Sequence, residues 1–380
     1  MPALQKVLIV LLVILFVAIV AAVLLNLPEP EFEPEEDIIE HIPSEESTLD
    51  TVPDWNPDEL PDYVPEPIEG PQDINPLTGL LISEDSIRNR PLAIALNNIP
   101  EALPMNGVSY ADIIYEIPVE GGLTRMIALF QDPTRVKLIG SIRSARHYTV
   151  QLANSYDAIL VAAGRSPLAQ DEVRALKIPF LNEVEGPLRD IFYRDRSRIP
   201  GRRVESLHSV VTTGERIEQW LPTYDFRLVH EQDYKHTLFF VEDGTPRGGS
   251  NANEVSVRMS SGKTTSFSYN KDDKAYYMRQ YNRDFVDANN NVRPAFANIL
   301  ILKTSVTPIR GDASGRLNVE TTGSGDGYFV CGGKYIKINW ARADKSFPFI
   351  YTHADGSLLE LGAGRTFICI TPTNLDATFS

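Results

Sequence analysis

The sequence predicts an α/β (α+β) N-terminal domain with a mixed sheet, followed by a β-dominated C-terminal domain, behind a single N-terminal transmembrane helix. Three observations carry this reading. Residues 7–25 are uniformly apolar, residues 75–235 alternate short apolar runs with helix signals, and beyond Tyr234 the helical period disappears. The chain has 380 residues, enough for two or three domains at roughly 100–200 residues each. Its 43% apolar and 23% charged residues suit a protein with a packed core.

Val7 to Leu25 is a run of 19 apolar residues. At ~1.5 Å per residue it reaches ~28 Å, close to the ~30 Å hydrocarbon core. Signal-peptide apolar regions are shorter, about 7–15 residues. Lys6 precedes the run and only acidic residues follow it closely, so the positive-inside rule expects everything after residue 26 outside the cell. The formal net charge of −15 comes from one segment. Residues 27–73 hold 17 acids, ten prolines and no Lys or Arg, which leaves 36 bases against 34 acids elsewhere. Proline fixes φ and like charges repel, so this segment is expected to be a disordered stalk. The near-neutral remainder lacks the basic face of a nucleic-acid binder. Residues 1–26, 27–73, 74–235 and 236–380 are thus read as anchor, stalk, α/β domain and β-rich domain.

In the first folded half, Leu92–Leu96 is a short buried strand. Asp112–Val119 and Leu123–Phe130 are strands around Gly121-Gly122, a pair favoured in two-residue hairpin turns. Val136–Ile142 is another strand, and Ser144 can cap a following helix. Ala158–Ala163 is a strand, and Ser166-Pro167 opens a helix to about Leu176. In the second half, Thr237–Val241, Glu254–Met259, Thr264–Tyr269, Ala275–Arg279 and Ala297–Lys303 read as strands. So do Tyr328–Cys331, Lys334–Trp340, Phe349–Thr352 and Thr366–Ile370, between Gly, Asp and Asn turns.

The motifs Asn75-Pro-Leu-Thr-Gly79, Arg90-Pro91, Ala111-Asp-Ile-Ile-Tyr-Glu116, Glu120-Gly-Gly-Leu-Thr-Arg125 and Gly140-Ser-Ile-Arg-Ser-Ala-Arg146 resemble the N-terminal domain of the YerB-type bacterial envelope lipoproteins. Phe192-Tyr-Arg-Asp195 adds to this. Tyr277-Met-Arg279, Gly325-Asp-Gly327, Trp340 and Gly364-Arg-Thr-Phe367 resemble that family's C-terminal domain. The resemblance covers about residues 75–375 and implies a two-domain envelope protein without assigned biochemistry. The chain departs from the family in having an apolar helix in place of the lipobox cysteine, and Leu207-His208-Ser209 where the family tends to have Pro-His-Asn. The anchor and the Ser-Ile-Arg stretch are also similar to LytR–CpsA–Psr phosphotransferases, except that Ser144 stands where those enzymes carry an aspartate.

Two strand-to-helix junctions carry the candidate site. Arg143, Ser144 and Arg146 at one, and Arg165 and Ser166 at the other, combine helix N-termini with guanidinium forks, which together suit phosphate or carboxylate. Across the hairpin, with Pro118 opposite Arg125, the residues Glu116, Glu120 and Arg125 are expected on one face as a polar cluster. Glu116 and Glu120 are the candidate catalytic carboxylates. Four residues along a strand separate them by ~13 Å, beyond the ~5–9.5 Å of a glycosidase pair. Arg189 to Arg203 contributes six arginines in fifteen residues, a candidate lid. No metal-ligand spacing and no HExxH, GxSxG or Walker P-loop is present, so neither metal nor cofactor is expected. Ser260-Ser-Gly-Lys263 fits Ser-x-x-Lys but reads as a turn. Cys331 and Cys369 are compatible with a disulfide or with two buried thiols. The expected partners are membrane lipid through Val7–Leu25 and a cell-wall glycan or other envelope proteins, with no nucleic acid. The function expected is binding of an anionic glycan or lipid, or envelope assembly. The alternative is a transferase or hydrolase acting on wall intermediates.

Overall fold

Continuous alternation of two core faces along every central strand organises the molecule. The structure, a computed structural model, describes residues 72–184 and 191–380. The expected transmembrane helix, the stalk up to residue 71, and Arg189 lie outside these residues. Among the described residues no helix is long and apolar enough to cross a membrane.

The chain opens with β1 (Gln72–Ile74), β2 (Leu81–Ser83), β3 (Leu92–Leu96), β4 (Ile113–Pro118) and β5 (Thr124–Phe130). There follow β6 (Ile139–Gly140), helix α1 (His147–Asn154), β7 (Ile159–Ala162), α2 (Pro167–Leu176) and β8 (Phe180–Asn182). Then come β9 (Tyr193–Arg194), β10 (Val210–Thr212) and α3 (Gly214–Trp220). The second half begins with β11 (Phe239–Val241), β12 (Ser250–Asn251), β13 (Glu254–Arg258), β14 (Thr264–Asn270), β15 (Ala275–Gln280) and β16 (Arg283–Asp284). It continues with β17 (Ala295–Phe296), β18 (Asn298–Thr304), β19 (Val306–Pro308), β20 (Leu317–Val319), β21 (Gly323–Cys331) and β22 (Lys334–Arg342). It ends with β23 (Ile350–Thr352), β24 (Glu360–Gly362), β25 (Thr366–Pro372) and β26 (Ala377–Phe379). The expected strand-dominated α/β character is observed, and nearly every predicted strand is present within a few residues.

An 11-stranded sheet runs β12-β22-β21-β18-β25-β4-β5-β3-β7-β8, with β23 beside β22. The halves on either side of residue 235 share it. β25 lies parallel to β4, pairing Thr366 with Ile113 and Cys369 with Glu116. β3 runs parallel to β7 and antiparallel to β5, so the C-terminal ends of β3, β4, β7 and β25 open at one edge. Residues alternate strictly between two buried faces, as period 2 requires. Ile94, Ile114, Met126, Ile301 and Phe367 meet Val255, Phe267 and Met278 of the six-stranded sheet β16-β15-β14-β13-β26, in which β17 joins β15. Ala95, Tyr115, Ile127, Leu300 and Ile368 meet Tyr148 and Leu152 of α1 and Ala169 of α2. Cys331 and Cys369 fall on opposite faces of this sheet and are free thiols, which excludes their pairing.

The hairpin differs from its expected register. Pro118 faces Thr124 and Ile117 faces Arg125, because the connection is a five-residue loop with a 3-10 turn at Glu120–Gly122 rather than a two-residue turn. One residue of slip turns a side chain to the other face. Glu116 therefore projects away from Arg125, into the layer between the two sheets. There it is fully buried, and Lys263 Nζ approaches Oε1 to 3.4 Å. Thr124 Oγ1 (2.7 Å) and Asn98 Nδ2 (3.0 Å) donate to Oε1, and Thr265 Oγ1 donates to Oε2 (2.7 Å). Lys263 also donates to Gln280 Oε1 and lies 4.3 Å from the Tyr281 ring centre. Ser260 is a turn residue, as expected, its hydroxyl donating to Gly122 O at 2.6 Å.

Removing one member of such a pair strands a charge in the interior, at a cost of about 3–5 kcal/mol. Glu116→Gln and Lys263→Met should each lower unfolding free energy by an amount of that order. The double variant should lose less than the sum, as measured by urea denaturation.

Candidate functional site

The C-terminal edge of the sheet is completed by a segment that sequence periodicity reads as strand. Only Ile139–Gly140 forms β6, in a small three-stranded sheet with β10 and β9. Beyond it Ser141–Ala145 wedges between the ends of β3 and β7. Asn97 N donates to Ser141 O (2.9 Å), Arg143 N to Ala95 O (2.8 Å), Ala163 N to Arg143 O (3.1 Å), and Ala145 N to Gly164 O (3.0 Å). A parallel bridge joins Ala145 to Arg165. The two predicted junctions thus lie side by side.

Their capping differs in detail. Ser166 caps α2 as expected, accepting from Ala169 N at 3.2 Å. Ser144 does not cap α1. The helix starts two residues later, with Arg146 at the N-cap, and Ser144 Oγ donates instead to Ala163 O at 2.8 Å. Gly164 must be glycine: its φ is +84°, and a Cβ there would come within 2.9 Å of Ser144 Oγ.

Glu120, Arg125 and Arg146 form the polar cluster on the helical side of the sheet, and Glu116 is absent from it. Arg146 grips Glu120 through both Nη2 and Nε, the latter at 3.2 Å. Arg125 Nη2 lies 3.8 Å from the same carboxylate, and Arg125 Nη1 donates to Ser144 O at 2.6 Å. Burial pushes Glu120 up, but the hydrogen bond and charge of Arg146 outweigh it, so its pKa is lowered. Burial, with Arg146 and Arg143 adding repulsion, depresses Arg125 to about 9.

Arg143 connects this cluster to a second one. Its Nη1 donates to Leu207 O at 3.2 Å, next to His208. Asn97 Nδ2 donates to His208 Nδ1 at 2.9 Å, which leaves the ring proton on Nε2 in the neutral form. Arg198 Nε donates to His208 O at 2.8 Å. Burial, followed by Arg143, Arg198 and Arg202, drives His208 down to about 4. Of the arginine-rich run expected as a lid, Arg198 is instead buried, with Nη1 donating to Pro104 O and Asn106 Oδ1. Asn97 and His208 were not singled out as site residues. The signal for Asn97 is a polar pair, Asn97-Asn98, closing a wholly apolar strand.

Among the described residues the edge gathers Arg125, Arg143 and Arg146 near the carboxylate of Glu120, on strand ends and the start of α1. Glu116 is enclosed, and Glu120 is held as a carboxylate. Among the described residues no group of three or more His, Cys, Asp or Glu is arranged to hold a metal.

His208 gives the fold a pH dependence. The unfolded imidazole binds its proton near pH 6.5, the folded one near 4, so the unfolded state takes up more protons between. Stability should be complete above pH 6.5 and fall as pH drops toward 4. His236, lowered to about 4 by burial and His230, acts in the same window. Melting temperature should therefore decline less steeply from pH 6.5 to 4 in His208→Gln than in the parent.

Residues 77–227 match the N-terminal domain, and residues 255–368 the C-terminal domain, of a protein family of unknown function (DUF3048). The "Putative lipoprotein YerB" of Bacillus subtilis (strain 168) is 32% identical over 311 residues, which cover 80% of this chain and 87% of the relative. The crystal structure of YerB protein from Bacillus subtilis superposes with a TM-score of 0.68 at 27% identity, covering 81% of this chain and 99% of that one.

Proposed function

Because the chain belongs to the DUF3048 family, which includes a lipoprotein-named relative, we propose that it is an extracytoplasmic cell-envelope protein that binds an anionic ligand at the arginine-lined edge of its sheet. The ligand class is a phosphate- or carboxylate-bearing glycan or lipid. The observation that carries the reading is the convergence of Arg125 and Arg146 on the carboxylate of Glu120, with the Ser141–Ala145 segment bringing Arg143 and Arg165 to the same edge. Arg165 and the Ser166-capped start of α2 border the same edge.

Val7–Leu25 serves as a single-pass anchor, in place of a lipidated cysteine, with the acidic stalk spacing the folded part from the bilayer. The name of the Bacillus subtilis relative supports this location. Transfer or hydrolysis on wall or polyprenyl-linked glycans has less support. Glu116 is out of solvent reach, and a carboxylate held ionised by Arg146 makes Glu120 a weak base.

Pyrophosphate, or a short-chain polyprenyl phosphate, should raise the melting temperature of the full-length protein in detergent. The gain follows RT ln(1 + [L]/Kd), roughly 2.7 kcal/mol at a hundredfold excess over Kd. The double variant Arg143→Ala with Arg165→Ala should lose that gain and keep the ligand-free melting temperature within a few degrees. An equal gain in the double variant would sink the site. Location is checked separately: protease added to intact cells should cleave beyond residue 74, and full protection would refute the extracytoplasmic reading.

A further inference from the structure

At the opposite edge of the sheet, a cleft of about 1300 Å³ opens between the two halves. Small-molecule pockets occupy roughly 300–1,000 Å³, so this one has room for a length of chain. We propose that it binds an extended peptide of mixed charge, which adds as a strand to β2. This site is separate from the arginine-lined edge and does not depend on it.

Leu80–Ser83 line the cleft, and β2 is paired only with β1 among the described residues. Asn75 N donates to Leu80 O at 2.7 Å. Bonded positions alternate along an antiparallel pair, so the next bonded pair is Asp73 with Ile82. The backbone groups of Leu81 and Ser83 are thereby turned away from β1. Natural edge strands are usually blunted by charge or proline. Here Leu80 is 46% exposed, Leu81 57%, and Ile74 on β1 54%. These apolar side chains flank a row of backbone donors and acceptors, the arrangement used in strand addition.

The remaining lining selects the occupant. Lys271 and Lys274 face the cleft together with Asp132, Glu242 and Asp243. Both signs suit a peptide with acidic and basic side chains, and do not suit the chain's own stalk, which has 17 acids and no Lys or Arg. At the inner end Asp112 accepts from Asn75 Nδ2 (2.8 Å) and Gln131 N (2.6 Å). Burial raises it to about 6, so an incoming ammonium group favours its ionised form.

The test is selection of a random heptapeptide display library on the full-length protein in detergent. Anisotropy titration of the enriched, fluorescein-labelled peptides follows. Ser83 has φ −58°, which proline adopts without strain, so Ser83→Pro removes one outward N–H and leaves the β1–β2 ladder intact. Enriched peptides should carry both charges and bind Ser83→Pro about tenfold more weakly, the worth of one lost backbone hydrogen bond. A second variant, Lys271→Glu with Lys274→Glu, should weaken the same peptides with melting temperature unchanged. Failure of any peptide to enrich, equal binding by both variants, or displacement of the peptides by chitotetraose would each overturn the proposal.

Discussion

The contact between Glu116 and Lys263 is the constraint around which the two halves are arranged. Each charge is buried, so each has to find its full complement of partners inside the protein. Asn98 and Thr124 come from the first half; Thr265, Gln280 and Tyr281 come from the second. Gln280 Nε2 closes the ring by donating to Asn98 Oδ1 at 2.8 Å. No slip of one sheet over the other preserves these bonds. A buried ion pair adds little net stability over apolar packing, but its loss of register is heavily penalised. Its value here lies in alignment.

That alignment explains why β25, late in the chain, can lie beside β4 in the centre of the sheet. With β18 and β25 in place, the sheet is closed on one face by the six-stranded layer and on the other by α1 and α2. Arg342 fastens the helical face. It is buried, with its guanidinium donating to Thr321 Oγ1 (3.0 Å), Gln151 O (2.6 Å) and Phe347 O (2.7 Å). The helix carrying Gln151 starts at Arg146, so the position of the cationic edge is tied to the far side of the sheet.

The two edges of the sheet differ in electrostatic character. At the C-terminal ends, among the described residues, Arg125, Arg143 and Arg146 are held by backbone carbonyls and by Glu120, and burial followed by mutual repulsion lowers Arg125 and His208. Oriented carbonyls can hold a guanidinium without cancelling its charge, which keeps a positive potential near the surface. At the other edge acids and bases alternate around a cleft, with a strand edge in its wall. On the proposed readings, one edge takes an oxyanion and the other an extended peptide.

Local order was legible in the sequence wherever a pattern repeats over several residues. The alternation in Glu254–Arg258, the run in Leu92–Leu96 and the Ser166-Pro167 start of α2 each carry their own physical cause, and each is observed. The hairpin register was not legible. Gly121-Gly122 fits a two-residue turn, but the loop is longer, and that slip put Glu116 on the opposite face from Arg125. Nor could periodicity show that Ser141–Ala145 wedges between two strand ends, that His208 joins Arg143, or that Lys263 is the partner of Glu116. These are contacts between residues far apart in the chain, selected by burial and hydrogen-bond satisfaction across layers. A sequence shows which face a strand must bury, and only the packed layers decide which polar groups meet there.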